Sequence, residues 1–164
     1  MTAGTFNSRP MRRVSSMAEP DVQRILSFPE TMIGSDGIPH DAIPHPRLWG
    51  TFPRVLGHYS RDLQLFPLEA AVRKMTGLTA RNFGLQDRGE IRVGAWADIT
   101  LFDPATVADA ADFEQSTLPA KGIAAVFVNG EPVWRDGAAT GARPGRVIDR
   151  GAAARAGKQK GTTA

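Results

Sequence analysis

Cysteine is absent from this 164-residue chain, which excludes a disulfide framework and any thiolate metal site built from its own side chains. Also missing is an apolar run approaching the ~18 residues that span a bilayer, so no membrane partner is expected. Acidic residues are lacking at both ends. Residues 1–18 carry Arg9, Arg12 and Arg13 with no acid, and residues 150–164 carry Arg150, Arg155, Lys158 and Lys160 with none. These charges outnumber the formal net of +3, so residues 19–149 are net acidic although the whole chain has a pI of 9.8. A body of that sign does not attract a phosphate backbone, and no nucleic-acid partner is expected. Gly84 and Gly89 are not followed by Lys-Ser or Lys-Thr, which removes a phosphate loop. There is no secretory apolar segment near the start, and the expected location is cytoplasmic.

What is present has the composition of a globular chain, with 41% hydrophobic and 23% charged residues. The length suits one domain with a core and falls short of the about 250 residues of a complete α/β barrel. Glu19 to Leu26 reads as a helix, with Pro20 and Asp21 in its first turn and Val22, Ile25 and Leu26 at i, i+3, i+4. Phe28-Pro29 ends it, and Thr31 to Ile33 has the composition of a buried strand. Gly34-Ser-Asp36-Gly37 follows. The stretch from Gly37 to about Tyr59 shows no clear period apart from a helical turn at Pro53 to His58. It nevertheless holds all three histidines, Arg47, Arg54 and Trp49, and a long loop of that kind is usually functional.

Pro67 opens a second helix with Leu68, Ala71, Val72 and Met75 on one face and Gly77 as its C′ residue. Thr79 caps a short helix from Ala80 to Phe83, closed by Gly84. After Gly89 the period becomes two, at Ile91 and Val93, and Ala97 to Phe102 reads as a strand stopped by Asp103-Pro104. Asn129-Gly130 between Ile123–Val128 and Glu131–Trp134 is a strong hairpin signal. The expected organisation is a basic flexible leader over 1–16, an α/β portion over 17–85 with an active-site loop at 37–60, a β portion over 86–137, and a Gly/Ala/Arg-rich tail over 138–164, disordered after about 150.

Asp36 is the leading chemical candidate. A carboxylate just beyond a strand end can serve as general base or metal ligand in an α/β enzyme, or else cap the turn that follows. His40, His45 and His58 with Asp36 or Asp41 offer ligand types that zinc accepts. Their spacing matches neither a helical i, i+4 pair nor a His-x-His strand pair, which favours satisfied loop histidines. Arg47 suits bidentate capture of a substrate carboxylate, with a surface arginine as the plain reading. Trp49, Phe52 and Tyr59 either line a pocket or pack the loop onto the body.

The runs Phe28-Pro-Glu-Thr-Met-Ile-Gly-Ser-Asp-Gly, Pro39-His-Asp, His45-Pro-Arg-Leu-Trp-Gly-Thr-Phe-Pro-Arg-Val-Leu-Gly-His-Tyr, Lys74-Met-Thr-Gly-Leu-Thr-Ala and Gly94-Ala-Trp-Ala-Asp-Ile-Thr-Leu-Phe-Asp-Pro carry a resemblance. With Val128-Asn-Gly-Glu-Pro-Val and Ala142-Arg-Pro-Gly-Arg it covers about Met17 to Asp149. Together they resemble the C-terminal part of the D-aminoacylases, the N-acyl-D-amino-acid deacylases of the amidohydrolase superfamily. The resemblance implies an α/β fold: the end of a metal-dependent (β/α)₈ barrel, with Thr31 to Ile33 as its eighth strand, then part of a small β-sandwich. It implies that Asp36 moves the proton in amide hydrolysis, that Arg47 holds the α-carboxylate of an N-acyl-D-amino acid, and that the complete enzyme uses Zn²⁺. The family's metal ligands are histidines and a cysteine on earlier strands. This chain alone is therefore expected to bind no zinc and to be a truncated or split deacylase, partnered by an upstream barrel fragment or by itself. A non-catalytic remnant or interaction module is the alternative.

Overall fold

The computed structural model describes residues 17–40 and 44–148, leaving the basic ends and Asp41 outside the described residues. Helix α1, Glu19–Ser27, has Pro20, Glu19 and Asp21 in its first turn and Arg24 in its last, charges that complement the helix dipole. It exits at Phe28, where the Thr31 hydroxyl donates to the Ile25 carbonyl at 2.7 Å. The chain then runs from Thr31 to Ile38 in neither helix nor strand. Thr31 to Ile33 is therefore not a strand among the described residues. Strand identity needs a hydrogen-bonded neighbour, and the Ile33 amide instead donates to Lys74 O in a helix at 3.4 Å.

The stretch read as an irregular loop over 37–60 is mostly helical. Helix α2 spans Arg47–Arg54 and continues as a π-helical segment, Val55–Asp62. Leu48, Thr51, Phe52, Val55, Leu56 and Tyr59 do fall at helical spacing, but Gly50, Pro53 and Gly57 interrupt the propensity and obscure it. Pro53 cannot donate inside the helix, and the widened turn follows directly. Helices α3, Leu68–Met75, and α4, Gly77–Phe83, form a corner. Gly77 follows the Thr76 C-cap of α3 as its C′ residue and also opens α4, while the Thr76 and Thr79 hydroxyls donate to the Val72 and Lys74 carbonyls at 2.8 and 2.9 Å.

The second half is an antiparallel meander of β1 (Ile99–Phe102), β2 (Ile123–Val128), β3 (Glu131–Arg135) and β4 (Ala138–Ala139), in that order. Asn129 and Gly130 both have positive φ, at 49° and 86°, the conformation of a two-residue hairpin turn matched to strand twist. Asp136-Gly137 repeats this, so β4 lies where the tail was expected to begin. Ile91 and Val93, expected to alternate in a strand, are instead 88% and 101% exposed and in no strand.

The core is Val55, Leu56, Tyr59, Ala71 and Val107, with Val22, Leu26, Ile33, Phe102 and Ile123 packed against it. It joins the helices to the excursion between β1 and β2. Gly57 permits a close approach there, because a Cβ would stand 2.4 Å from the Val107 carbonyl oxygen. The Arg61 guanidinium donates to that same oxygen at 2.7 Å. No helix among the described residues is long and apolar enough to cross a membrane.

Candidate active site

Asp36 sits in the irregular segment that follows α1, with a positive φ of 48° that few side chains other than Asn and Asp tolerate. Its carboxylate is open, at 84% exposure, and makes a 2.8 Å ion pair with Arg47 Nη2. Arg47 Nε also donates to the Asp36 main-chain carbonyl at 2.9 Å. One guanidinium thus holds both the side chain and the backbone of residue 36. The two elements meet because Gly37 lies against Leu48, whose Cδ1 would stand 2.3 Å from any Cβ at position 37.

His45 stands two residues before Arg47. Its Nδ1 accepts the Arg47 backbone N–H at 3.0 Å at the start of α2, where main-chain donors have no helical partner. The ring meets Phe113 edge to face, with centroids 4.9 Å apart. Burial, and secondarily the Arg47 guanidinium, hold His45 below its ordinary pKa of 6.5. His58 is engaged elsewhere, edge-on to Tyr59 at 4.9 Å, and His40 is exposed. Among the described residues no three His, Cys, Asp or Glu side chains are grouped to hold a metal ion.

Of the aromatic candidates, Tyr59 belongs to the core while Trp49 and Phe52 are partly exposed. Two of the cavities among the described residues flank α2. One of about 310 Å³ lies among α1, the 31–34 segment and α2, lined by Val22, Ile25, Met32, Ile33, Val55 and Tyr59. A cleft of about 500 Å³ separates α2 and α3 from the sheet, between Phe52, Leu56, Met75, Ile99, Phe102 and Ile123. Asp36 and Arg47 line neither, so their chemistry faces outward.

Three positions escaped sequence reasoning. Lys74 is buried on the inner face of α3, its ammonium donating to the Phe28 carbonyl and, at 3.4 and 3.5 Å, to those of Pro29 and Thr31. Its place three residues after Ala71 and four before Leu78, both buried, was the available signal. Asp109 pairs with Arg54 at 3.2 Å and Phe113 meets His45, so the β1–β2 excursion reaches α2 at both ends. No local pattern announces such a contact.

A sequence profile of the amidohydrolase family matches residues 1–134. This chain belongs to that family. The match includes residues 1–16, read from sequence as a leader. The chain is 67% identical over 137 residues to a D-aminoacylase of Alcaligenes xylosoxydans xylosoxydans, covering 84% of this chain and 28% of that protein. A crystal structure of D-aminoacylase superposes with a TM-score of 0.76 at 68% identity, over 77% of this chain and 27% of the other. An N-acyl-D-glutamate deacylase from Bordetella bronchiseptica, solved with zinc and a phosphonate mimic of the reaction's tetrahedral intermediate, superposes at 0.75 with 54% identity, over 80% and 27%. The chain has the α/β fold content of amidohydrolases and spans about a quarter of the length of these relatives.

Proposed function

We propose that this chain is the C-terminal portion of an N-acyl-D-amino-acid deacylase, hydrolysing the non-peptide amide that joins an acyl group to a D-amino acid. The observation that carries this reading is the paired Asp36 and Arg47: an open carboxylate and a guanidinium in one place, in a chain this similar to D-aminoacylases. Asp36 is the general acid/base. It takes a proton from the attacking water and returns it to the leaving amine nitrogen as the C–N bond breaks. Arg47 binds the substrate's α-carboxylate, exchanging one carboxylate partner for another of the same geometry.

In this reading residues 31–33 form the last strand of a (β/α)₈ barrel and the meander is part of a β-sandwich. An upstream barrel portion would then complete the site. The described residues do not fit a zinc ion by themselves, since no three ligand-type side chains converge. The steps assigned here are accordingly those of Asp36 and Arg47 alone. Identity of 67% to a D-aminoacylase against 54% to a D-glutamate deacylase favours a substrate of the first kind.

The test is a chimera in which residues 17–149 replace the matching part of an intact D-aminoacylase. The chimera should hydrolyse N-acyl-D-amino acids, and Asp36→Asn should lower kcat by at least ~10²-fold, as loss of a general base does. Arg47→Ala should chiefly raise KM, by the equivalent of about 2–4 kcal/mol. An active chimera whose kcat ignores Asp36→Asn overturns the role given to that residue. An inactive but folded chimera favours a non-catalytic remnant.

A further inference from the structure

We propose that His45 is a positioning residue: through its Nδ1 it sets the first turn of α2 and aims the Arg47 guanidinium at Asp36, with Phe113 of the β1–β2 excursion steadying its ring. This rests on the reading of Asp36 and Arg47 given above. Arg47 is the first residue of α2, and a residue there has no preceding turn to hold it. Proline occupies the N-cap, with helical backbone angles and no side-chain hydrogen bond, so the usual Ser, Thr, Asp or Asn cap is lacking. The imidazole two residues before Arg47 supplies the missing acceptor at 3.0 Å. The resulting hydrogen bond sets the main chain from which the Arg47 side chain departs to make its two contacts with Asp36, at 2.8 and 2.9 Å.

The tautomer follows from the chemistry. Nδ1 can accept only when it carries no proton, so a neutral ring must be protonated at Nε2. The ring's orientation is not left to this bond alone, because Phe113 stands edge to face at 4.9 Å from the other half of the molecule. Asp109 from the same excursion pairs with Arg54 in the last turn of α2. The β module thereby holds the helix at both ends: Asp109 at its exit, Phe113 through His45 at its entry. A segment remote in sequence then shapes how the catalytic carboxylate is presented.

The measurement uses the full 164-residue chain. Long-range nitrogen–proton correlation should show the Nε2–H tautomer of His45, and at low temperature the Arg47 Nε–H should give a resolved, slowly exchanging signal. His45→Ala should speed that exchange about fivefold or more, the equivalent of a lost capping hydrogen bond. His45→Asn, whose Oδ1 can accept in place of Nδ1, should restore it, and Phe113→Ala should move it part of the way towards the alanine value. A structural role for His45 would not single out Arg47 or be rescued by asparagine. The Nδ1–H tautomer in the unsubstituted chain overturns the inference without any variant, as does exchange at Arg47 that ignores His45→Ala in a folded protein. Neither result touches the kcat effect of Asp36→Asn in the chimera, so this inference and the deacylase reading can fail separately.

Discussion

A lysine that does not reach solvent decides how the chain leaves α1. Lys74 holds the carbonyls around the Phe28–Thr31 bend, and its burial, reinforced by Arg73 and opposed by Glu30, lowers its pKa. Lys74→Met keeps the bulk and removes the donors, so the Pro29 and Thr31 carbonyls lose this charged partner while the Phe28 carbonyl keeps only the Thr31 N–H at 3.1 Å. It should cost about 1–3 kcal/mol in urea unfolding, with the 31–37 segment losing hydrogen-exchange protection first. His45 gives the molecule a pH dependence of definite sign. Its folded pKa lies below 6.5, so the unfolded chain takes up the proton first as pH falls. Its contribution to stability is therefore complete above 6.5 and is lost as pH falls from there through the lowered value. The melting temperature of the wild type relative to His45→Asn should fall between about pH 8 and about pH 5; a constant difference would count against the assigned environment.

At the scale of elements, propensity and packing oppose each other at Gly57. Alanine is the better helix former by about 1 kcal/mol, yet its Cβ would lie 2.4 Å from the Val107 backbone oxygen, an atom that cannot swing away. Packing should win. Gly57→Ala is expected to lower the urea midpoint by the equivalent of about 1–3 kcal/mol with the m-value unchanged. The Asn129-Gly130 hairpin was legible in sequence because its signal is confined to adjacent residues. Arg88 and Pro144 also converge on Asn129, whose side chain binds both at 2.7 and 2.6 Å, and nothing local foretells that. The Thr31–Ile33 and Ile91–Val93 segments have β composition but no ladder among the described residues. Composition supplies a preference for extended backbone, whereas a strand requires a neighbour.

Considered whole, the described surface carries large apolar side chains that an isolated domain would normally cover. Ile25, Phe28, Ile38, Ile91 and Val93 are each about half exposed or more, and β1 has one unpaired edge. The purified chain should bind a hydrophobic dye and associate with rising concentration in sedimentation velocity. Adding the upstream part of a D-aminoacylase should reduce both, and indifference to that addition would argue against a missing barrel portion. The charge map makes a separate prediction. Affinity for DNA, if measured at low salt, should vanish when Arg9, Arg12, Arg13, Arg150, Arg155, Lys158 and Lys160 all become glutamine, because the 19–149 body is acidic.

Sequence alone determined the family, the helices α1 and α3 and the β2–β3 hairpin, and it singled out Asp36 as a candidate. Each of these is written in residues close together, as a run such as Met32-Ile-Gly-Ser-Asp-Gly or as a period along one face. The tertiary structure decided what those residues do to one another. It brought Arg47 onto Asp36 across eleven positions, Lys74 onto Phe28 across forty-six, and Phe113 onto His45 from the far side of β1. Such pairings depend on where a glycine lets two backbones meet and on which helix face is buried. Those conditions exist only once the whole chain has packed.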